Sequence, residues 1–372
     1  MLCIMNDNVK KIKILHIGEY VNGGVATYID TILGIDNSAF DEYLVMSKER
    51  SALEWDNVPA DKIYCYDYRR GIFQAVAAMK TIYEVINRFT PDIIYCHSTW
   101  AGVMARVPLL FMRNRPKVIY NAHGWAFTMQ VAGWKKWIYA MVERVLYHAT
   151  DCVINVSNYE YNAARKFGIP ADKMRVLYSG SNEVDGNNVP AKKLFCDSTI
   201  NLLFVGRFDP QKGVDFLLKT FADYSRDDIH LYLIGDAVVS TNEYKKINDN
   251  RIHFLGWIPH GEMGAYYQSC DAVIMPSRWE AFGLVAIEAM KYKKTVIVSD
   301  RGALPELVKN GYNGYVFKME DEGSLKSVFD KLEKKCLVQL GNNAFAEFKK
   351  NFSGSVMREK MKAIYEELLS GK

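Results

Sequence analysis

Residues 272–290 read AVIMPSRWEAFGLVAIEAM, and this stretch decides the fold. Its first four residues form an apolar run that predicts a buried strand, and the next six, beginning with Pro276, supply a turn. Apolar residues then return with helical spacing, which predicts a helix that begins near Phe282 or Gly283. A buried strand that leads directly into a helix is typical of a parallel sheet covered by helices on both faces.

The same alternation of strands and helices extends in both directions from this stretch. Further strands are predicted at 11–18, 43–46, 63–66, 93–96, 118–122, 152–156, 174–178, 201–205, 230–234, 252–255 and 295–298. Helical spacing is found at 25–33, 72–88, 134–147, 214–224 and 284–290. The chain is therefore predicted to be an α/β protein with Rossmann-like, doubly wound parallel sheets.

A chain of 372 residues is longer than one hydrophobic core usually serves, which favours two domains. Turn formers interrupt the alternation at 182–193, where apolar residues are few. We therefore predict an N-terminal domain at 1–181, a linker at 182–198 and a C-terminal domain at 199–352. The last segment, 353–372, carries an amphipathic helix. Two similar halves joined by a polar segment suggest a cleft between them.

Two carboxylates, Glu280 and Glu288, stand eight residues apart in the deciding stretch. The first lies in the turn and the second on the helix, so both are expected at the carboxyl end of a parallel strand, where ligands bind. The backbone N–H groups of the helix start favour a phosphate, and Gly283 lets that backbone come close. The alternative is a pair of solvated carboxylates that only complement the helix dipole.

A second strand-to-helix junction reads VGRFDPQKG at 205–213 and places Arg207 and Lys212 in one loop. The guanidinium offers a planar fork and the ammonium a mobile point charge, so together they can neutralise a leaving diphosphate without a metal ion. The alternative is an exposed basic turn. The binding site is favoured because both motifs lie in one half of the chain, each at a strand-to-helix junction.

Two further motifs follow strands of the N-terminal half. Gly23 and Gly24 let backbone amides approach a charged ligand, although a simple tight turn explains them as well. In YNAHGW, at 120–125, His123 comes at the end of a strand, which favours a hydrogen bond to the transferred sugar or to the acceptor. A purely structural role for this histidine is the alternative.

Charge and cysteine content exclude several classes of protein. The formal net charge of +4 is too small for a general nucleic-acid binder. The seven cysteines are scattered and never closely paired, so no zinc site is predicted, and no cofactor is expected. Neither a signal peptide nor a spanning helix is recognisable, which favours a cytoplasmic location.

The segment between Asp92 and Glu143 contains no acidic residue. It carries tryptophans and tyrosines together with the cations Arg106, Arg113, Arg115, Lys117, Lys135 and Lys136. This mixture suits an anionic bilayer surface, so we expect peripheral contact with the inner face of the cell membrane. The alternative is that Trp134 and Trp137 pack in a domain core beside exposed lysines.

Together these motifs resemble those of the retaining glycosyltransferases of family 4, over nearly the whole chain. Glu280 and Glu288 match the family's E-x7-E motif, and residues 205–213 match its G-R-x-x-x-x-K-G loop. Two more stretches typical of the family are GALPE at 302–306 and NGYNG at 310–314. The resemblance implies the GT-B architecture, in which two Rossmann-like domains face each other across a cleft and the C-terminal helix crosses back to the N-terminal domain.

The resemblance also implies a role for each site residue. Arg207 and Lys212 would bind the donor diphosphate and act in catalysis together with Glu280 and His123, and Glu288 would hydrogen-bond the ribose. The other implied substrate-binding residues are Gly23 and Gly24 beside the phosphates, Trp257 and Ile258 beside the base, and Ala281, Phe282, Gly283 and Leu284 around the transferred sugar.

The function implied by the resemblance is metal-independent transfer of a hexose with retention of its anomeric configuration. The donor would be a nucleotide diphosphate sugar, UDP-sugar by default, and the acceptor a glycan or a lipid-linked molecule in cell-surface polysaccharide synthesis. One alternative is another GT-B enzyme, either an inverting transferase or a nucleotide-sugar epimerase. A second alternative is a non-catalytic partner subunit that binds a nucleotide sugar.

Overall fold

The structure is a computed structural model that describes residues 11–36, 38–52, 55, 58–69, 71–183, 194–236 and 248–371. The chain divides into two units, one formed by Met1–Tyr178 together with Met357–Lys372 and the other by Ser179–Val356. Most of the predicted linker, residues 184–193, lies outside the described residues. The domain limits and the linker given above therefore stay predictions.

The first unit is built on a parallel sheet. Its strands are β1 (Ile12–Gly18), β2 (Phe40–Ser47), β3 (Ile63–Tyr66), β4 (Ile93–His97), β5 (Lys117–Asn121), β6 (Cys152–Asn155) and β7 (Met174–Val176). The helices between them are α1 (Gly24–Ile32), α2 (Ile72–Phe89), α3 (Thr99–Leu109), α4 (Gly133–Leu146) and α5 (Asn158–Lys166). Across the described sheet the order is β3-β2-β1-β4-β5-β6-β7. Strands β2 and β3 therefore lie on one side of β1, and strands β4 to β7 lie on the other.

The second unit repeats this plan. Its strands are β8 (Ile200–Val205), β9 (Ile229–Ile234), β10 (Ile252–Gly256), β11 (Ala272–Met275), β12 (Thr295–Ser299) and β13 (Gly314–Phe317). Its described helices are α6 (Val214–Ala222), α7 (Met263–Ser269), α8 (Leu284–Lys291), α9 (Leu304–Leu307), α10 (Glu322–Phe329) and α11 (Lys334–Glu347). All strand pairs are parallel, in the order β10-β9-β8-β11-β12-β13. The predicted α/β fold with parallel sheets is confirmed.

Burial explains why these strands are recognisable from the sequence. Every residue of β4, β11 and β12 is buried, because helices cover both faces of the sheet, and such strands read as unbroken apolar runs. The prediction missed β13, which begins with Gly314 and contains four residues. A short strand at the sheet edge, led by glycine and partly exposed, gives little periodic signal.

The last helix, α12 (Gly354–Ser370), packs on the first unit from Met357 onward. Its Arg358 donates to the carbonyl of Thr31 at 3.0 Å, and its Lys362 lies 2.9 Å from the carboxylate of Asp36. Within the described parts of the chain, no helix combines the length and the apolar character needed to cross a bilayer.

A buried ionic network joins α3, α4 and β5. Arg106 on α3 is 1% exposed, and its guanidinium lies 2.8 Å from Glu143 on α4. The Tyr120 hydroxyl donates to the other carboxylate oxygen at 2.7 Å, and the guanidinium also donates to Gly102 O and Thr150 Oγ1. The expectation that Arg106 belongs to a basic surface is therefore wrong, because its acidic partner comes 37 residues later in the chain.

We predict that Arg106→Met lowers the free energy of unfolding of the first unit by about 3–5 kcal/mol, because Glu143 would remain buried without its cation. The double variant Arg106→Met/Glu143→Gln removes the unpaired charge of Glu143 and keeps an acceptor for Tyr120. It should therefore recover most of the lost free energy of unfolding. Urea unfolding followed by circular dichroism measures both. A double variant no more stable than Arg106→Met would contradict the argument.

Candidate active site

The second sheet reverses its strand order between β8 and β11. β9 pairs with one side of β8, whereas β11 pairs with the other side. The loops that follow β8 and β11 therefore lead to opposite faces and leave a crevice at the carboxyl ends of the strands, the position at which open α/β sheets bind ligands. These loops, 206–213 and 276–283, contain the predicted cationic motif and the first glutamate of the deciding stretch.

The loop after β8 touches the loop after β11 at a glycine. Gly213 adopts φ +65°, and a Cβ at this position would lie 2.0 Å from the carbonyl oxygen of Pro276. Only glycine allows both this backbone conformation and this approach. The same loop turns at Asp209, whose carbonyl and carboxylate oxygens both accept from the Lys212 N–H at 3.1 Å. The start of α6 is thereby held beside the end of β11.

Lys212 and Glu280 are in direct contact. The Lys212 ammonium pairs with Glu280 Oε1, and the Ser277 hydroxyl donates to the same oxygen at 3.0 Å. The two charged side chains are only 20% and 10% exposed, which strengthens their attraction relative to a surface pair. Both contacts are made with Oε1 of Glu280, and a carboxylate has further acceptor capacity, on Oε2, for a hydroxyl of a ligand.

Arg207 is the exposed cation of the site, with 62% of its side chain open to solvent. Its guanidinium lies 3.1 Å from Asp209 Oδ2 and 3.4 Å from Gln211 Oε1. The Gln211 amide donates to the carbonyl of Trp279 at 3.1 Å and so reaches the loop that carries Glu280. The structure thus brings Lys212 and Glu280 together and connects Arg207 to them through Gln211.

Arg278 fastens the two loops to each other. Its backbone N–H donates to the Gln211 carbonyl at 2.8 Å, and its guanidinium binds both carboxylate oxygens of Asp215 at 2.8 Å. It also donates to Glu320 at 2.6 Å and to the Pro210 carbonyl at 2.9 Å. The hydrogen bonds to its acidic partners raise the pKa of this guanidinium. This arginine was not predicted as a site residue, although it lies within the deciding stretch.

The start of α8 lies immediately after Glu280 and is formed by the predicted residues Ala281, Phe282, Gly283 and Leu284. The first N–H groups of a helix lack intrahelical acceptors, so they can bind an anion. The GALPE stretch holds the adjacent backbone. A Cβ at Gly302 would lie 2.2 Å from the carbonyl oxygen of Glu280, and the Ala303 N–H donates to that oxygen at 3.1 Å.

Glu288 lies one turn into α8 and contacts neither Lys212 nor Arg207 by hydrogen bond or ion pair among the described residues. It accepts a hydrogen bond of 2.7 Å from the hydroxyl of Tyr267 on α7. Burial raises the pKa of Tyr267 well above its usual value, so the phenol stays protonated and donates. The tyrosine therefore fixes the position of this carboxylate, a partner that the sequence did not indicate.

The other predicted residues lie at carboxyl ends of strands in their own units. Trp257, which is 72% exposed, and Ile258 follow β10 in the second unit. In the first unit Gly23 precedes α1 with φ +53°, and Gly24 is the first residue of that helix.

His123 follows β5 with φ +51°, a conformation that is uncommon outside glycine. Its Nε2 lies 3.1 Å from Nδ1 of His97 at the end of β4.

Comparison with known proteins assigns a family to both units. The family model described as Glycosyltransferase Family 4 matches residues 22–183, and the one described as Glycosyl transferases group 1 matches residues 187–347. The chain is 34% identical over 338 residues to an uncharacterized 41.2 kDa protein in the cps region of Klebsiella pneumoniae, a match that covers 85% of this chain and 89% of the relative.

The chain belongs to the glycosyltransferases of the family 4 type.

Two further proteins are similar to this family 4 glycosyltransferase. It is 21% identical to an Escherichia coli protein named UDP-Gal:alpha-D-GlcNAc-diphosphoundecaprenol alpha-1,3-galactosyltransferase, over 99% of this chain and 100% of the relative. The crystal structure of Anabaena Alr3699/HepE in complex with UDP superposes with a TM-score of 0.78 at 18% identity, covering 95% of this chain and 100% of that one. Such neighbours show that the fold of this glycosyltransferase is GT-B.

If a UDP-sugar is the donor, its phosphate can contact Lys212 while a sugar hydroxyl satisfies Glu280, and we predict that Lys212→Ala weakens binding of the UDP-sugar roughly 10- to 100-fold, because a charge-assisted contact contributes about 1.5–3 kcal/mol. Isothermal titration calorimetry measures the Kd. Lys219→Ala is the matched control, because Lys219 lies on α6, is 72% exposed and pairs with Glu322. If Lys219→Ala loses as much affinity as Lys212→Ala, the specific role predicted for Lys212 is contradicted.

Proposed function

We propose that the chain transfers a hexose from a UDP-sugar to a glycan or lipid-linked acceptor in cell-surface polysaccharide synthesis, with retention of the anomeric configuration and without a metal ion. The observation that carries the proposal is the contact between Lys212 and Glu280 at the reversal of strand order in the second sheet. A cation for phosphate and a carboxylate for sugar hydroxyls meet there on two loops that hydrogen bonds hold together.

The charges of the site suit a diphosphate leaving group. Lys212 and Arg207 stand in one loop beside the start of α8, whose N–H groups add positive potential. Cations and N–H groups directed at the departing oxygens stabilise the charge that develops there in the transition state. In this proposal they take the part that a metal ion plays in other transferases.

The proposed reaction breaks the bond between the anomeric carbon and the β-phosphate oxygen and forms a bond from the acceptor oxygen to the same carbon on the same face. The acceptor proton passes to an oxygen of the departing diphosphate. Glu280 holds the transferred sugar through its open oxygen, Glu288 binds the ribose, and His123 hydrogen-bonds a hydroxyl of the reacting sugar or acceptor. Gly23 and Gly24 line the phosphate side, while Trp257 and Ile258 border the base.

Three similar proteins support the donor and the acceptor class. Anabaena HepE was crystallised with UDP, which favours uridine as the base. The E. coli relative uses UDP-Gal and a diphosphoundecaprenol-linked sugar, and the Klebsiella relative comes from a cps region. A lipid-linked acceptor accords with a cytoplasmic enzyme that touches the inner face of the membrane.

Glu280→Ala is predicted to lower kcat of sugar transfer roughly 100-fold or more, because the carboxylate that orients the sugar is lost. Glu322→Gln is the control, since Glu322 pairs with Lys219 and Lys326 away from these loops. Proton NMR of the product reports its anomeric configuration, and transfer should continue in EDTA. Full activity of Glu280→Ala would contradict the role of this carboxylate.

The same assays separate the alternatives. An inverted product would identify an inverting transferase, and interconversion of the donor sugar without an acceptor would identify an epimerase. Tight binding of UDP-sugar with neither reaction would favour a non-catalytic partner subunit.

The membrane contact is proposed through one face of α4. Its exposed apolar side chains follow helical spacing and are 38–64% open to solvent: Trp134, Trp137, Ile138, Met141, Val142 and Val145. The alternative of a core position for the two tryptophans is wrong, since they are 64% and 59% exposed. Lys135 and Lys136 lie on the same helix, and a helix with tryptophans, aliphatic residues and lysines suits the surface of an anionic bilayer.

Arg115 forms an ion pair with Asp151 at 2.5 Å, so it adds little positive charge to that surface.

Trp134→Ser/Trp137→Ser should therefore abolish flotation of the protein with liposomes that contain anionic phospholipid, because the largest apolar groups of the face are removed. Phe73→Ser is the matched control, since Phe73 is an 88% exposed aromatic residue on α2. Equal recovery of the unaltered protein with anionic and with neutral liposomes would eliminate the electrostatic part of the proposal.

A further inference from the structure

A row of polar side chains crosses the first sheet diagonally. Glu42 lies on β2, His16 on β1 and His97 at the end of β4, and His123 follows β5. Glu42 pairs in register with Ile14, two residues before His16, and His97 pairs with Gly18, two residues after it. His97 pairs with Asn121, two residues before His123. Since side chains alternate along a strand, these steps of two keep the row on one face of the sheet.

The row is continuous at the level of atoms. Nδ1 of His16 lies 3.1 Å from Nε2 of His97, and Nδ1 of His97 lies 3.1 Å from Nε2 of His123. At the far end Nε2 of His16 lies 3.6 Å from Oε1 of Glu42, longer than a hydrogen bond but close enough for attraction between a charge and an N–H dipole. The other carboxylate oxygen of Glu42 accepts from the Gly34 N–H at 2.6 Å.

The inner part of the row is enclosed. His16 and His97 are fully buried, and Glu42 is 8% exposed, whereas His123 is the partly exposed member. Burial lowers the pKa of His97 well below its usual value and that of His123 to about 3, so both rings are neutral near pH 7. A neutral imidazole carries one N–H donor and one bare nitrogen acceptor. His97 therefore donates through one ring nitrogen and accepts through the other, so its hydrogen bonds to His16 and to His123 point the same way along the row.

We propose that Glu42, His16 and His97 are positioning residues that fix the tautomer of His123. The carboxylate of Glu42 attracts an N–H on Nε2 of His16, which leaves Nδ1 of His16 as an acceptor for His97. His97 then accepts from Nε2–H of His123, and Nδ1 of His123 is left bare. This nitrogen becomes an acceptor for a hydroxyl of the sugar or acceptor, a step that rests on the role proposed above for His123.

Three observations favour this assignment over a purely structural one. Nε2 of His16 and Oε1 of Glu42 are buried without a hydrogen-bond partner among the described residues, a costly arrangement that packing alone does not require. His123 holds a left-handed conformation, secured by its N–H donating to Asn121 Oδ1 at 2.9 Å, and strained residues of this kind cluster at functional sites. Within the described residues no group hydrogen-bonds Nδ1 of His123.

The tautomer can be read directly by NMR. In protein labelled with ¹⁵N-histidine, long-range ¹H–¹⁵N spectra distinguish a bare ring nitrogen from a protonated one, and the spectrum of His123→Asn assigns the signals of residue 123. The full chain at neutral pH should show His123 protonated on Nε2 and bare on Nδ1. A His123 protonated on Nδ1 in the unaltered protein overturns the inference, and this outcome depends on no variant and on no activity.

Glu42→Gln tests whether Glu42 sets the direction of the hydrogen bonds in the row. Its amide can donate to Nε2 of His16, which would reverse every hydrogen bond of the row and place the proton of His123 on Nδ1. Tyr365→Phe is the control, because this buried tyrosine lies near Glu42 and has no hydrogen-bond partner among the described residues. It should leave the tautomer unchanged. A Glu42→Gln protein that keeps the original tautomer overturns the role of Glu42.

Kinetics then separate this inference from the proposed function. With the tautomer reversed, kcat of transfer should fall roughly 10- to 100-fold, as when the partner that orients a functional histidine is lost, while the Kd of UDP stays the same. A reversed tautomer with unchanged kcat overturns the role of the row in transfer. If the unaltered protein shows the expected tautomer but transfers no sugar, the proposed function fails and the tautomer assignment stands.

Discussion

The contact between Lys212 and Glu280 is the interaction on which the candidate site depends. It joins residues 68 positions apart because their strands, β8 and β11, are neighbours at the point where the sheet reverses its order. Gly213 lets the loop after β8 approach the loop after β11, and Gly302 lets the backbone after β12 approach Glu280. Arg278, in the loop after β11, binds the carbonyls of Pro210 and Gln211 in the loop after β8. The parallel sheet therefore does more than support the site, since its strand order selects which residues can meet there.

Each sheet carries a different kind of chemistry at its point of reversal. In the second unit the groups are ionic and partly open to solvent. In the first unit the row that ends at His123 consists of imidazole rings, of which His97 and His123 are neutral, with a single carboxylate at its far end. Neutral rings can give direction to hydrogen bonds to hydroxyl groups without the desolvation cost of a second buried charge.

Local patterns predicted most of the fold, because buried parallel strands are apolar along their whole length and their ends carry glycines and polar residues. Lys212 and Glu280 were recognisable because each stands at a strand-to-helix junction. Contacts that depend on strand pairing or on helix packing could not be predicted from the sequence. His16 and His97 become neighbours only through strand pairing, and Arg106 was misjudged because Glu143 reaches it only when α3 and α4 pack together. The glycine-led edge strand β13 gave too little periodicity.

The mutual neutralisation of Lys212 and Glu280 bears on which molecules can occupy the crevice. A simple anion that drew the ammonium of Lys212 away would leave the carboxylate of Glu280 poorly solvated and without its cation. Much of the free energy gained by binding the anion would then be lost. A molecule that presents a phosphate to the lysine and a hydroxyl to the glutamate satisfies both at once. Under the proposed function, this charge pair would favour a sugar nucleotide over the small phosphates of a cell, because only the sugar nucleotide offers a partner to both side chains.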